Sequence, residues 1–593
     1  MSSALERDAP VLPIQPPLHP QSPASLTDEK ELPTTDSENS SLYDKNSVAP
    51  LAPVVNEPST ATAGDAILRY LRIRKRRAVD DLDAIATRES VYDGPLAKYY
   101  EPHPKWENLS NFDPSFRWTH REEHAVVRKI NWKVLGWVLL MFLALDIDRG
   151  NMANATADNL LKDLKLSQAD YNLGSTLSRL GFLLAELPSQ MIGKKLGVDR
   201  WVPIQICVFS TLAFSQFWMN GRSSFLALRF LIAFFQGGFI PDCILYLSYY
   251  YTNTELPCRL AIFWCINYIS DTITGFLAVG LLQMRGIGGY EGWRWMFLIE
   301  GLFTFVIGAA SFFMLPPGPS QTKSKWFPQG YFTDREVKII VNRAVREDPG
   351  KASMHNRQAL TPSLLWKSFK DYDLYPLYLI GLLFGIPAYP VGQYFQLSMK
   401  QLGFSTVMAN LLSVPHTILS IIFLLIVTIL SEVVQSRTWL SIIENVWFLP
   451  FFIALRVLPT LGPWQYFALS TLLLAYPYVH AIQVSWASRN SGSVSTRTVS
   501  ASLYNMFVQL SGIIGSNLYQ KNDAPRYFKA NSAIIAIILF NIIILYPGTW
   551  FYYRARNAWK AKRWDAMSTE QRAEYLATTK DEGCKRLDFK FVY

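Results

Sequence analysis

Apolar stretches recur along the chain from Trp132 onward, and each has about the 20 residues that a helix needs to cross a bilayer. Six of them precede residue 317 and six follow residue 371. The pattern predicts an all-α membrane protein of twelve transmembrane helices, in two six-helix halves with internal pseudo-symmetry. The predicted spans are 132–157, 169–192, 202–219, 224–251, 259–284, 293–316, 372–397, 405–431, 437–458, 463–487, 498–519 and 530–553.

Three polar segments lie outside these spans. Residues 1–131 are rich in Pro, Ser and Thr and offer too little apolar surface to fold, so we predict a disordered tail. Residues 317–371 form a central loop, in which Thr333–Lys338 carries a helix-start signal with charged residues behind it. Residues 554–593 form a basic C-terminal tail.

Composition excludes two broad classes of protein. Hydrophobic residues make up 50% and charged residues 18% of the chain, whereas soluble proteins carry about 25% charged residues. The chain is therefore neither a soluble enzyme nor a disordered protein. The formal net charge is +10, and the central loop and the C-terminal tail are both basic. Because positively charged loops face the cytoplasm, both termini and the central loop are predicted to be cytoplasmic.

A basic run at 72–77 lies within the N-terminal tail. Such a run is typical of nuclear import or nucleic-acid binding in a soluble protein. In a membrane protein, attraction to anionic lipid on the cytoplasmic face is favoured, or a solvated charge run without a role. We therefore predict no nucleic-acid partner.

The first predicted span contains charges that a membrane helix normally avoids. An ionisable side chain at the bilayer centre costs at least roughly 2.5–3.5 kcal/mol, so such side chains are functional candidates. Asp146 and Arg149 are three residues apart, hence on one helix face, and Asn151 follows closely. The Arg149 guanidinium offers five donors in a planar fork that suits an oxyanion. A ligand-binding arginine and a structural Asp146–Arg149 pair both remain open.

The fourth span combines one arginine with a flexible sequence. Gly237 and Gly238 allow close approach of a neighbouring helix. Pro241 removes one backbone hydrogen bond and permits a bend. Arg229 requires a carboxylate, a helix end or a ligand, and an arginine fixed to a neighbouring helix is the alternative.

Three carboxyl groups in the first half are candidates to carry a proton. They are Asp146, Asp271 in the fifth span and Glu300 in the sixth. A carboxyl group withdrawn from water holds its proton more readily, which is what proton coupling requires. For Asp271 and for Glu300, a paired structural charge is the alternative.

Prolines and a histidine mark the second half. Pro387, Pro415 and Pro477 predict several helix bends there. A bend at Pro477 would bring Tyr478 and His480 near each other, and histidine titrates near neutral pH. A hydrogen-bonded histidine that only packs helices together is the alternative.

Enzyme chemistry has little support in the sequence. The chain has no HExxH, GxSxG or Walker pattern, and only two of its 7 histidines lie in predicted spans. Its 5 cysteines form no CxxC pair, so neither a disulfide framework nor a zinc site is indicated. We predict no cofactor and no metal. A membrane-embedded enzyme that uses His480 remains as an alternative.

Four stretches resemble the major facilitator superfamily. Gly193–Arg200 resembles its loop motif between the second and third spans, although the trailing basic pair is missing. Asp148–Ala155 resembles the first-span signature of its anion:cation symporters, in the fungal allantoate-permease branch. Gly292–Gly301 and Phe332–Glu336 are two further hallmarks. The resemblance implies alternating access, with a structural or gating role for two groups of residues. These are Gly193, Gly197, Asp199 and Arg200 in the loop, and Arg229, Gly237, Gly238 and Pro241 in the fourth span.

A narrower likeness, to yeast transporters of sulfonates and inorganic sulfur, runs from about Tyr100 to Tyr593. It implies proton-coupled import of sulfonate, sulfate or thiosulfate at the plasma membrane. The expected partners are then a small anion, protons and the lipid membrane, and the expected working unit is a monomer. The stretches that carry it are Gly237–Asp242, Tyr246–Thr252, Thr496–Val499, Leu503–Met506 and Lys585–Phe591.

The sequence thus leads to one hypothesis about the site. Arg149 binds the anion, Asn151, Gln393, Tyr478 and His480 line the same cavity, and one of the three carboxyl groups couples the proton. Two alternatives concern function. One is import of a carboxylate nutrient such as allantoate, nicotinate, pantothenate or a dipeptide. The other is a transporter-like nutrient receptor that signals through its tails.

Overall fold

The computed structural model describes residues 82–593 apart from 94–100, 103, 253–254, 348, 353–365, 367–368, 435, 459–460, 492–493, 524–526, 579–582 and 588. Within this part of the chain the regular elements are helices, and an isolated bridge joins Ile85 to Thr119. Helices occupy all twelve predicted spans, so the predicted all-α architecture is confirmed. In chain order they are His120–Ala157; Gln168–Leu196; Val198–Ser215; Arg222–Gln236 with Phe239–Ser248; Leu256–Leu281; Gly292–Met314; Tyr375–Leu383 with Ala388–Gln401; Thr406–Leu411 with Val414–Val434; Arg437–Val457; Pro463–Leu474 with His480–Asn490; Val494–Ser516; and Phe528–Phe540 with Tyr546–Asp565.

Eight of the described helices are long and apolar enough to cross a membrane on length and composition alone. They correspond to the first, the fourth to ninth and the twelfth spans. The second span runs unbroken for 29 residues, although it contains Arg179 and Glu186. Its polar residues therefore lower its hydropathy without interrupting the helix, and they become candidates for function.

Several spans are broken in the middle, as the prolines of the second half predicted. The seventh, eighth and tenth spans each consist of two helices. In the tenth span, residues 475–479 interrupt the helix around Pro477. The fourth span is also broken, at Gly237 and Gly238. Such breaks free backbone groups inside the bundle, which is tolerated where other protein groups satisfy them.

The described parts of both tails and of the central loop lie at one end of the bundle, which we call the tail end; the opposite end is the far end. The loop begins after the sixth span and ends before the seventh, and its residue Asp371 accepts a hydrogen bond from Cys584 Sγ at 2.9 Å. The C-terminal residues pack against the second half there. Trp486 Nε1 donates to the carbonyl of Val592 at 2.7 Å, and Phe591 is buried.

The predicted loop helix is confirmed over Asp334–Glu347. Thr333 and Glu336 form the reciprocal hydrogen bonds of a capping box, with the Thr333 N–H donating to Glu336 at 2.7 Å. The helix lies on the first half. Its Arg343, only 4% exposed, bonds Glu255 at 2.9 Å and is 3.6 Å from Glu123. This buried ion triad fixes the loop helix to the start of the fifth span.

The prediction of a disordered tail up to residue 131 is wrong for its last part. Trp106, Trp118 and Val126 are buried in the same hydrophobic cluster as the first span. Helix formation begins at His120, where Thr119 provides a capping box. These aromatic side chains supply the buried surface that the composition of the whole tail concealed. The basic run at 72–77 lies outside the described residues.

Candidate functional site

The Asp146–Arg149 pair lies where the first, fourth and fifth spans meet. Arg149 Nη1 is 3.3 Å from Asp146 Oδ1, and its Nε donates to Gln236 Oε1 at 3.0 Å. Asn267 donates to the second Asp146 oxygen at 3.1 Å. The predicted pair therefore exists. The Arg149 side chain is nevertheless 31% exposed, so part of its donor fork remains available to a ligand.

Two more arginines share this region. Arg179, in the second span, is close enough to interact electrostatically with both Arg149 and Arg229. Among the described residues, neither Arg179 nor Arg229 forms an ion pair. Arg179 instead donates to Ser516 Oγ at 3.3 Å and lies 4.2 Å from the ring centre of Tyr389. Three cations thus lie near one another in the first half, where Arg179 reaches the second half through Ser516 and Tyr389. Among the described residues one carboxylate, Asp146, is ion-paired with them. An anion placed there would offset this excess of positive charge.

Sequence reasoning missed Arg179. The same argument that singled out Arg149 applies to it, because Arg179 also lies in the middle of a predicted span. The sequence could not show which residues Arg179 contacts, because Ser516 and Tyr389 belong to the eleventh and seventh spans, far away in the chain.

Hydrogen bonds tie the halves together between this cluster and the far end. Gln393 donates to Asn172 Oδ1 at 2.9 Å, and Asn172 in turn donates to the Tyr519 carbonyl at 3.3 Å. Asn517 donates to Thr176 Oγ1 at 2.7 Å. Gln393 was predicted beside Arg149. The structure places it in this set of contacts, which close the interface on the far side.

His480 and Tyr478 form the centre of an aromatic cluster, as the bend at Pro477 predicted. Their ring centres are 5.5 Å apart, and Trp264 of the fifth span lies 5.0 Å from His480. Phe384 and Tyr504 pack on His480 at 6.0 and 5.7 Å. The cluster joins both halves, because Trp264 belongs to the first and the other rings to the second.

Tyr389 connects the aromatic cluster to the arginines. Its ring contacts Arg179, and its hydroxyl interacts electrostatically with Tyr476 and Tyr478. Tyr268 extends the cluster on the first-half side, with its ring centre 6.3 Å from that of Tyr478. A cationic region and an aromatic region therefore lie side by side along the interface.

Two predicted carboxyl groups have different surroundings. A Cβ built on Gly150 would lie 3.4 Å from Asp271 Oδ1, so Asp271 lies against the first span. Glu300 is buried between the first and sixth spans, beside Asp148 and Asn151. Asn151 therefore faces away from the Arg149 cluster, in contrast to the prediction. Asp148 is a further buried carboxyl group that the sequence reasoning did not select, although it adjoins Arg149 in the chain.

The glycines of the fourth span, and Gly193 near the end of the second span, allow neighbouring helices to approach closely. A Cβ on Gly237 would lie 2.8 Å from the Cβ of Ala185, and one on Gly193 would lie 2.9 Å from Asp242. Gly238, with φ +86°, forms the break itself. Pro241 lies in the first turn of the next helix, where its missing N–H has no helical partner to lose. The predicted bend therefore depends on the glycines and not on the proline.

The loop between the second and third spans turns at Gly197, whose φ is +94°. Asp199 lies in the first turn of the next helix, and Arg200 lies 3.9 Å from it with 68% of its side chain exposed. The predicted glycine turn before an Asp-Arg pair is therefore present. In the Thr496–Val499 stretch, the side chains of residues 496–498 lie outside the described part of the structure.

Glu444 supports the break in the tenth span. It is fully buried in the ninth span, and its Oε2 accepts a hydrogen bond from the Val479 N–H at 3.1 Å. That N–H is one of the groups that the break around Pro477 leaves without a helical partner. Glu444 thus stabilises the segment that presents Tyr478 and His480.

Comparison with known proteins agrees with this architecture. Residues 138–516 match the family model of the Major Facilitator Superfamily. An uncharacterized transporter of Saccharomyces cerevisiae is 42% identical over 491 residues, which cover 82% of this chain and 90% of that protein.

Two solved structures share the fold at low sequence identity. One is a bacterial homolog of the human lysosomal transporter Spinster, inward-facing and unoccupied, at 14% identity with a TM-score of 0.51, covering 71% of this chain and 96% of that one. The other is the xylose transporter XylE from E. coli in a partially occluded inward-open conformation, at 12% identity with a TM-score of 0.51, covering 69% and 96%.

Proposed function

This chain belongs to the major facilitator superfamily, and we propose that it is a secondary active transporter that imports small sulfur anions together with protons. Sulfonates, sulfate and thiosulfate are the substrates proposed. Uptake proceeds by alternating access between the two halves, residues 132–316 and 372–553. The proposed location is the plasma membrane, with both termini and the central loop cytoplasmic and the monomer as the working unit.

The observation that carries the proposal is the proximity of Arg149, Arg179 and Arg229 in the first half, close to the interface with the second half. Charge-assisted hydrogen bonds from guanidinium groups suit the oxygens of a sulfonate or sulfate. Asp146 neutralises one arginine. The other charges are available for a mono- or dianion, and Arg149 keeps part of its fork free.

Electrical work makes proton coupling necessary for accumulation. Moving one negative charge inward against 100 mV costs about 2.3 kcal/mol, which one co-transported proton cancels. A dianion needs two protons to be electrically neutral. We propose that one of Asp146, Asp271 and Glu300 couples the proton, since all three are carboxyl groups in the membrane-spanning part of the first half.

The aromatic cluster favours an organic anion within the proposed class. The rings of Tyr389, Tyr478 and His480 adjoin the arginines along the interface. Aromatic faces bind the carbon chain of a sulfonate. Inorganic sulfate has no carbon chain and cannot make this contact. We therefore propose that sulfonates are bound more tightly than sulfate, with Tyr478 and His480 contacting the organic part.

Uptake of radiolabelled ethanesulfonate tests the proposal, in cells without their own sulfur-anion transporters. Expression of the chain is expected to give uptake of ethanesulfonate. A protonophore should abolish this uptake, and thiosulfate should inhibit it competitively. Arg149→Ala is expected to remove this uptake while the protein still reaches the membrane. Arg456→Ala is the control, because Arg456 contacts Ser532 at the exposed surface of the second half.

Three outcomes would contradict parts of the proposal. Full uptake by the Arg149→Ala variant would remove Arg149 from the site. Uptake of allantoate or nicotinate without uptake of ethanesulfonate would replace the substrate class. Binding of ethanesulfonate without accumulation would indicate a nutrient receptor in place of a transporter.

A further inference from the structure

Glu186 is a buried carboxyl group that none of the functions above uses. It lies in the second span, is 0% exposed, and its carboxylate oxygens form no ion pair among the described residues. It follows Arg179 by seven residues, which places it two turns further toward the tail end on the same helix face. That face is the one that meets the second half.

The second and eleventh spans run antiparallel along this interface, and their contacts follow a regular order. From the far end inward, Thr176 contacts Asn517 and Arg179 contacts Ser516. Further toward the tail end, two turns along the second span and three turns along the eleventh, Glu186 lies beside the Asn505 amide. Glu186 is thus between the halves, on the tail-end side of the arginines.

The charges around Glu186 leave an ionised carboxylate with little support. On its own helix the described charged neighbours are Arg179, two turns away, and Lys194, two turns toward the tail end. The fourth span contributes Arg229 and Asp242, of which Asp242 accepts a hydrogen bond from Gln190 at 3.0 Å. The described side chains of the eleventh span carry no charge. Burial without a bonded cation favours the protonated form while the halves are in contact.

We propose that Glu186 carries a transported proton, which it binds while the second and eleventh spans are in contact and releases toward the tail end when they separate there. This inference rests on the proposed function. Separation lets water reach the carboxyl group, and hydration stabilises the ionised form. Asp148 and Glu300 differ, because both lie within the first half, and movement between the halves leaves their surroundings intact.

The test uses the full-length protein in liposomes with two assays. The probe is whichever of ethanesulfonate, thiosulfate and allantoate the wild-type protein exchanges fastest, so that an error in substrate class does not affect the result. The first assay measures exchange of labelled for unlabelled anion at equal pH. The second measures accumulation driven by an imposed pH gradient. Exchange needs only the loaded carrier to cross, whereas accumulation needs proton release.

E186Q is expected to keep exchange within about twofold and to lose at least roughly tenfold in accumulation, because a permanently neutral side chain cannot release a proton. D148N is the matched control: Asp148 is also buried without an ion pair among the described residues, but it lies within the first half, away from the contact between the halves. It is expected to keep both activities.

Accumulation by E186Q at the wild-type level would overturn the proposal, as would equal loss of exchange and accumulation. Wild-type protein that exchanges anion but ignores the pH gradient would overturn proton coupling as a whole, which is a separate result. If E186Q does not fold, N505L takes its place. Removing the amide that stabilises the carboxylate is expected to raise the pH midpoint of exchange by about half a unit or more, and an unchanged midpoint would overturn the proposal.

Discussion

In the first half, three arginines and several buried carboxyl groups lie close to the interface, whereas the second half presents rings. Arg149, Arg179 and Arg229 all belong to the first half. The second half contributes Tyr389, Tyr478 and other aromatic side chains. The halves share an architecture but not a surface chemistry. We therefore propose that one half recognises the charge of the substrate and the other half its shape.

The halves also differ in how their helices are interrupted. One span of the first half is broken, at Gly237 and Gly238, whereas the seventh, eighth and tenth spans of the second half are each divided. Glu444 in the ninth span holds one of these breaks by bonding Val479. We infer that the first half is a rigid charged platform and that the second half supplies the flexible wall.

The first prediction tests the rigidity of the first half and has the largest expected effect. Gly238→Ala places a Cβ in steric conflict with Ser189 Oγ, at a φ of +86°. The backbone strain of about 1–3 kcal/mol adds to about 1–3 kcal/mol for overpacking. We expect a large drop in the midpoint of thermal unfolding in detergent. Gly280→Ala is the control, because nothing lies within 4 Å of its Cβ. Equal midpoints for both variants would show that the break is not tightly packed.

The second prediction removes one charge from the platform. Arg179→Gln is expected to weaken binding of ethanesulfonate roughly 10- to 150-fold, because a hydrogen bond to a charged group contributes about 1.5–3 kcal/mol. Arg179→Lys keeps the charge but not the planar fork. Its affinity for ethanesulfonate is expected to lie between those of the wild-type protein and Arg179→Gln. Binding is measured by calorimetry on purified protein. Unchanged affinity in Arg179→Gln would assign this arginine to the contact with Ser516 alone.

Much of this contrast could be predicted from the sequence, but its arrangement could not. Periodicity and length predicted the twelve spans, and Pro477 predicted the bend that joins Tyr478 to His480. The contacts of Asn151 with Glu300 and of Gln393 with Asn172 could not be predicted, because the hydropathy of a span does not say which of its faces meets which helix. Arg179 and Glu186 became visible only through their contacts with the eleventh span, more than 300 residues later in the chain.

The third prediction addresses the aromatic wall. Tyr478→Leu removes a ring that packs on His480 at 5.5 Å. An aromatic contact contributes about 0.5–1.5 kcal/mol, so the KM for ethanesulfonate should rise roughly 2- to 12-fold. The KM for thiosulfate should change less, because it has no organic part. Phe467→Leu, at the far end of the same span, is the control. Equal changes for both anions would mean that the wall does not distinguish organic substrates.

The fourth prediction has the smallest expected effect and concerns the contact between the loop helix and the helix that starts at His120. Arg335 bonds Glu122 at 2.7 Å, which joins the loop helix to the helix that starts at His120. This hydrogen bond holds the pKa of Glu122 below its ordinary 4.5. Burial raises the pKa and so offsets part of this effect. The pair therefore stabilises the contact above that pH, and its contribution is lost as the pH falls through the lowered pKa.

Arg335→Gln tests this pair. Since half-exposed pairs contribute about 0.2–1 kcal/mol, hydrogen exchange in His120–Ile130 should accelerate up to roughly fivefold at neutral pH. As the pH falls through the lowered pKa of Glu122 and the carboxylate is protonated, the difference should shrink. Lys323→Gln, which removes a pair whose side chains are 63% and 87% exposed, should have no effect. A difference that persists at low pH would mean that Arg335 acts by packing on Phe116, whose ring lies 5.2 Å away, and not by its charge.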